Sequence, residues 1–589
     1  MDRLKHHLLS AFLMLNILIV SAQGTVSPNN ISTSNDESLF IHLNTSTFLT
    51  GETLYYKLYC LNPKNNSSSL ISKIGYIELI DNNKQVVFKN KVYLDNGKGY
   101  GDFFIPTTLK TGNYKLIAYT KWMLNKGQVS FYEADVAIVN PFLPNEFINK
   151  EQNGSISAKK DETGADSNSQ ATVNPTAEKS IALELNQKTY TNREKVNLKV
   201  KMLSNKLKTG NFSVSIRKTD ALPTKKQINA ETFVRQQSAR LASNPSNSKI
   251  TFLPELRGEF ISGKVVSTKG LQEVSDKSVS LSIPGKPFIF KLVKTNQSGE
   301  FKFILDKTPD NTDAVIQIVD NAKENFSIVL DDATAVDLSQ LDFSSKFNVS
   351  PIDKKTIEER SVAAQLENAY YSKKKDTTDR KSNPDIFIGS TAKEYVLDDY
   401  TRFPTLKETI TEVLIECHSK RKNNKSMIYL SNDKVVLDNF GPPLVLVDGL
   451  LLQDTNEIFE YNVANIHKVS LINEAYVYGP KSFGGVISFE TKTGDFQSKS
   501  EGNYIKKTVL QIPSYGKKYY TPDYNSGHLL DRIPDYRYQL LWVPIITTEN
   551  NETQLSFFTS DISGEFEIAI EGFTDNGNPI SVKEYFEVK

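Results

Sequence analysis

A mainly β, multidomain fold is predicted for this chain: a string of β-sandwiches with a short helical connector and a small α/β domain. Three observations predict it. At 589 residues the chain is too long for one hydrophobic core. Short alternating apolar runs, punctuated by turn residues such as Asp95-Asn96-Gly97 and Asp575-Asn576-Gly577, recur along most of its length. Helical periodicity is confined to two stretches near the middle.

The chain opens with Arg3, Lys5, His6 and His7, an apolar run over residues 8–20, and the small-residue exit Ser21-Ala22-Gln23. That pattern predicts a secretory signal peptide over 1–23 and therefore export, to the periplasm or to a peripheral position on the outer membrane. No cysteine follows the run to carry a lipid, and no later segment is long and apolar enough to span a bilayer as a helix. The 70 basic and 69 acidic residues nearly cancel, so no global field draws in nucleic acid or anionic lipid. Cys60 and Cys417 fall in different expected domains; one long-range bridge stays open, but two unrelated buried thiols is the favoured reading.

The first expected sandwich covers 36–142, with strands around 53–59, 76–80, 86–91 and 114–120. Residues 143–180 form an expected flexible linker, because between 157 and 180 Val173 is the only large apolar residue. Beyond it the chain repeats itself. Leu43-Asn44, Thr47-Phe48, Thr50 and Glu52 recur 142 positions later as Leu185-Asn186, Thr189-Tyr190, Asn192 and Glu194, predicting a second copy of the module over 181–250. A third sandwich is expected over 255–340, where Phe301 and Phe303 alternate with polar residues after a Gly299 turn.

A helical connector is expected over 351–418. Its first helix starts at Asp353 and aligns Val362, Leu366, Ala369 and Tyr370; its second starts at Thr405, with Glu408 completing a capping box, and aligns Leu406, Ile410, Val413 and Leu414. The small α/β domain follows over 420–500, where Asp448-Gly449 between apolar runs predicts a type I′ hairpin. Residues 501–589 are expected to form a separate closing sandwich.

Several segments resemble known families. FLTGETLYYKLY, starting at Phe48, resembles the start of macroglobulin-like domains, in which a Gly-Glu turn leads into a long strand. The second copy, TYTNREKVNLKV from Thr189, has Arg193 in place of the glycine, and the loss of a residue without a Cβ implies a different turn. FFTSDISGEFEIAIEGFTDNGNPI, from Phe557, also looks macroglobulin-like. The family's thioester needs a Cys-Gly-Glu-Gln type motif; Cys60 is followed by Leu-Asn-Pro and Cys417 by His-Ser-Lys, so thioester chemistry is excluded. SGKVVS from Ser262 through TNQSGEFKF from Thr295 resembles the carboxypeptidase regulatory-like sandwich of Bacteroidetes envelope proteins. PPLVLVDG from Pro442, then IHKVSLINEAYVYGPKSFGGVISFETKTG from Ile466, resembles the plug domain of TonB-dependent receptors. Only 95 residues follow Gly494, whereas a 22-stranded barrel needs more than about 200 in strands alone. The resemblance implies a plug without its barrel, with Asp448, Gly449, Tyr478, Gly479, Gly484 and Gly485 as contacts for a partner or ligand.

Catalytic signatures are missing. His42, His418, His467 and His528 show no zinc-ligand spacing, and there is no Gly-x-Ser-x-Gly or Walker-type loop. Cys417-His418, read at a helix end, has neighbours pointing apart, and the Lys420-Arg421-Lys422 cluster with Lys425 reads as a solvated loop. The expectation is a non-enzymatic interaction protein without metal or cofactor. Its plug-like domain docks on an outer-membrane barrel; the alternative is a ligand-binding accessory of TonB-dependent nutrient import.

Overall fold

The computed structural model describes residues 36–143 and 181–589, apart from short stretches within the latter, the longest being 379–391. The expected signal peptide and nearly all of the expected linker lie outside the described residues. The architecture is mainly β, built from small sheets packed in pairs.

The first sandwich has eight strands, from Ser38–Leu43 to Tyr132–Val139. Numbered within the module, strands 1, 3 and 6 form one sheet, and strands 2, 8, 7, 4 and 5 the other. Between the sheets lie Phe48, Leu54, Tyr56, Leu58, Ile77, Leu79, Leu116 and Val136, all essentially sealed from water. The second sandwich repeats this strand order. Its first four strands are Ile181–Leu185, Thr189–Tyr190, Lys195–Met202 and Gly210–Lys218, and its last four are Gln539–Thr547, Glu552–Phe558, Gly564–Thr574 and Pro579–Val588. Again strands 1, 3 and 6 make the small sheet and strands 2, 8, 7, 4 and 5 the large one.

The expected domains at 181–250 and 501–589 are thus corrected: they supply two halves of one sandwich. The reason is register. Gly210–Lys218 has Gln539–Thr547 on one edge and Gly564–Thr574 on the other, so neither half satisfies its backbone or covers its apolar face alone. Everything from 219 to 538 is inserted between the fourth and fifth strands of the second sandwich.

The repeat is reproduced atom by atom. Asn44 Oδ1 accepts the Tyr55 N–H at 3.0 Å, and Asn186 Oδ1 accepts the Asn197 N–H at 3.0 Å. Glu52 Oε2 accepts the Leu49 N–H at 3.0 Å, and Glu194 Oε2 the Thr191 N–H at 2.7 Å. Gly51 sits at φ +91° and Arg193 at φ +56°, so the turn is retained and the expectation of a different turn is corrected. A guanidinium fork stabilises the second copy: Arg193 Nε and Nη2 donate to Asp561 at 2.6 and 2.7 Å, and Nη2 also to the Ile533 carbonyl at 3.0 Å.

Within the insertion, the third sandwich pairs Glu259–Ser267, Glu300–Leu305 and Phe326–Leu330 against a sheet of Ser278–Ile283, Ile289–Lys294, Asp313–Ile318 and Ile505–Val509. Its last strand comes from beyond 501, so this boundary also moves. The α/β module carries the five-stranded order Lys393–Val396, Ile466–Ile472, Val486–Thr491, Leu444–Val447, Leu450–Leu451.

Two helix expectations change. Lys354–Ala369 buries Ile357, Arg360, Ser361 and Ala363 while Val362 stays exposed, because an ion-pairing arginine, and not the apolar stripe, sets the facing side. Leu406–Glu412 keeps the Thr405/Glu408 capping box, but it ends early and packs Leu406 and Ile410, with Val413 and Leu414, into the α/β core; it is not part of a connector. Cys417–Lys422 is a strand paired with Lys425–Leu430, so Cys417 is not at a helix end and the basic cluster lies on a hairpin, not a loop.

Candidate functional site

Asp448 and Gly449 form the expected tight turn, with φ of +50° and +84°. The Asp448 carboxylate is buried and accepts the Thr491 N–H at 2.7 Å, the Thr491 hydroxyl at 2.6 Å and the Phe496 N–H at 3.3 Å. This side chain locks the turn to the next strand. A Cβ on Gly449 would lie 2.2 Å from Phe288 of the third sandwich, and one on Gly479 2.6 Å from the Leu292 carbonyl oxygen. Tyr478 donates its hydroxyl to the Phe290 carbonyl at 2.6 Å and stacks on that ring at 5.6 Å. A Cβ on Gly484 or Gly485 would meet backbone oxygens of their own module, those of Gly441 at 2.5 Å and Ile472 at 2.4 Å.

The motif residues therefore come together on an interface within the chain. Phe290 and Leu292 of the third sandwich share an apolar cluster with Leu444, Leu446, Leu451, Phe483 and Val486. Around it, Gln317 Nε2 donates to the Leu451 carbonyl at 2.9 Å, the Leu451 N–H to Ser282 Oγ at 3.1 Å, and Lys481 Nζ to the Val319 carbonyl at 2.9 Å. The expectation that Asp448, Gly449, Tyr478 and Gly479 face an outside partner or small ligand is corrected: the third sandwich fills that face.

Cys60 and Cys417 are buried and free. Burial, with Glu416 nearby, pushes the Cys417 thiol up to about 12, and strand alternation turns His418 to the other face, where Nδ1 lies 2.9 Å from Ser431 Oγ. Among the described residues no group of three or more His, Cys, Asp or Glu side chains is placed to hold a metal ion.

The two eight-stranded sandwiches meet face to face. The large sheet of the second presents Ser213, Trp542, Glu571 and Phe573 to Phe40, His42, Tyr55 and Tyr59 of the first. His42 Nδ1 lies 2.7 Å from Ser213 Oγ, and burial, with Lys583 adding to it, lowers the imidazole to about 3. Lys57 is fully buried, over the rings of Tyr59 and Tyr100 at 5.5 and 5.4 Å; burial and then Lys98 bring its ammonium down to about 7. Burial raises Glu571 to about 7. The interface mixes packed aromatic rings with buried polar and ionisable groups, unlike the apolar core of either sandwich.

Beside this interface opens a cleft of about 540 Å³, walled by both sandwiches and the Lys354–Ala369 helix. Arg360 joins the three: it bonds Glu52 of the first sandwich at 2.6 Å and Asp220 at the end of the second sandwich's fourth strand at 2.9 Å. Burial alone would raise the Glu52 carboxyl, but Arg360 and Arg217 outweigh it and hold it below the usual carboxylate range. Glu367 accepts the Tyr536 N–H at 2.7 Å and Asn368 Nδ2 donates to the Gly51 carbonyl at 2.9 Å, fixing the helix to both walls. Sequence reasoning missed this cleft. Its one legible signal was Glu52, which the repeat had marked.

No family model matches the chain, and no curated protein matches it. Among solved structures it is similar to Escherichia coli alpha-2-macroglobulin activated by porcine elastase, at 10% identity over 94% of this chain and 44% of that one, TM-score 0.24. Salmonella alpha-2-macroglobulin reacted with methylamine gives 10% identity, 96% and 40% coverage, and a TM-score of 0.23. FdeC, an Escherichia coli adhesin, gives 10% identity over 54% of this chain and 65% of that chain, TM-score 0.14. The chain spans less than half the length of these macroglobulins. The kinship of the two eight-stranded sandwiches with each other rests on their own strand order and register.

Proposed function

We propose that the chain is a non-enzymatic, exported interaction protein of the cell envelope, in which a plug-like α/β module is carried on sandwiches and docks on an envelope partner, an outer-membrane barrel being the expected one. One observation carries the reading: the plug-like module is anchored through its motif face and leaves large apolar side chains in water elsewhere. Ile415 precedes and Val435 and Val436 follow the 417–430 hairpin, so they emerge at its open end, with Ile415 72% exposed. Val477, also 72% exposed, is on the face of its hairpin opposite Tyr476 and Tyr478. Several apolar side chains held in water on the ordered surface of one module support a contact role.

Co-purification tests it. Tagged protein isolated from gently solubilised envelopes is expected to bring down one outer-membrane protein in constant ratio, and Val436→Asp with Val477→Asp to abolish the capture while leaving the melting temperature unchanged. Capture that survives both substitutions would remove the plug-like module from the docking role. The accessory reading, with a ligand at Asp448 or the Tyr478-Gly479 turn, loses its support because that face is occupied.

A further inference from the structure

The inter-sandwich cleft has features that docking of the plug-like module does not use. Its cations are matched internally: Arg217 and Arg360 with Glu52, Lys374 with Glu367 at 2.7 Å, and Lys517 with Asp102 at 3.0 Å and Asp376 at 2.9 Å. A phosphate or carboxylate ligand needs a cation not already neutralised, so an anionic ligand is disfavoured. An acyl chain is disfavoured too, because the walls carry buried ions that it would strip of remaining hydration. Around the rim stand three aromatic side chains from three separate elements: Tyr371, 55% exposed, Phe104, 49% exposed, and Tyr536. Each is held in water on ordered backbone. The volume of about 540 Å³ falls within the range of small-molecule sites.

We propose that this cleft is a binding site for a neutral oligosaccharide. The C–H faces of sugar rings carry a slight positive polarisation and stack on the negative faces of aromatic rings. Sugar hydroxyls donate to carboxylates, and Glu367, Asp376 and Asp102 each have lone pairs beyond those used in their ion pairs. Glu367 is balanced by Lys374, while Asp102 and Asp376 share Lys517 and keep a net negative charge, so a neutral polyol gains hydrogen bonds there without adding charge and an anion is repelled. The cleft is open to solvent, so a chain can run out of it past the rim aromatics. Binding here is independent of the docking proposed above.

The full chain, titrated by calorimetry and ligand-observed NMR with neutral hexasaccharides of glucose, xylose and N-acetylglucosamine, tests the assignment. At least one is expected to bind with little change between low and high salt. Tyr371→Ala and Phe104→Ala should each weaken it roughly tenfold, the loss expected for one stacking contact, while Tyr371→Phe keeps affinity within about threefold. Both positions are exposed, so the variants should fold as the parent does. Failure of every neutral sugar to bind, binding insensitive to both alanine variants, or salt-sensitive binding of anionic polysaccharide alone would each overturn the proposal.

Discussion

Lys57 is buried between two sheets with aromatic rings above its ammonium and no carboxylate bonded to it, which makes it a residue at which pH acts on stability above pH 7. In the folded chain it titrates near 7 and in the unfolded chain near 10.5. Between those values the unfolded chain binds the extra proton, so stability rises with pH across that window; below about 7 both states carry the proton and the burial penalty is fully present. Glu571 acts with the opposite sign at lower pH, losing stability as pH rises from 4.5 to about 7. Chemical denaturation from pH 7 to pH 10 is expected to show rising stability in the parent and a flatter profile in Lys57→Met, which should also be more stable at pH 7 by on the order of 1–3 kcal/mol. Equal slopes in the two proteins would refute this assignment. Gly449 is the second informative residue. Gly449→Ala forces a Cβ to 2.2 Å from Phe288 at a φ of +84°, and is expected to cost about 2–4 kcal/mol, read as a lowered melting temperature. The Asp-Gly turn itself was legible in the sequence; what covers it was not, since Phe288 lies 161 positions away and carries no mark of its contact.

Among the elements, the Lys354–Ala369 helix shows why amphipathic reading fell short. A stripe of Val362, Leu366 and Ala369 predicts one facing side, yet the buried anchor is Arg360, whose guanidinium joins Glu52 of the first sandwich to Asp220, just past the second sandwich's fourth strand. Charged residues are read as solvated by default, and only the fold shows that their partners wait more than a hundred positions away. Arg360→Ala leaves Glu52 and Asp220 buried with fewer partners and should destabilise the chain by about 3–5 kcal/mol. Hydrogen exchange should quicken in Thr53–Leu61 and Gly210–Lys218 while strands of the third sandwich keep the parent's protection. Uniform loosening of all modules would contradict the clamp role. The capping box at Thr405 and Glu408 was readable because it is local; the helix end at Glu412 was not, because strand pairing of Cys417 with Leu430 overrides the apolar period.

At the scale of the molecule, the insertion of 219–538 between two neighbouring strands explains most of the misplaced boundaries. The signal was present: Phe103-Phe104 and Gly112 of the first copy reappear as Phe557-Phe558 and Gly564, with Thr53 opposite Phe104 and Lys195 opposite Phe558. It is separated from the start of its own module by more than three hundred residues, so a linear reading assigns it to a new domain. Replacing 219–537 by a two-residue Asn-Gly turn should leave an eight-stranded sandwich with a dispersed NMR spectrum, whereas residues 501–589 alone should not fold. The most direct test of the functional account is crosslinking of the tagged chain in its native envelope, with the crosslinked lysines mapped by mass spectrometry. Docking by the plug-like module predicts links from Lys420 or Lys425 of the hairpin, both more than half exposed, to an outer-membrane barrel, and none to another chain from Lys481, which faces the third sandwich. Intermolecular links through Lys481, or links confined to the chain itself, would contradict it.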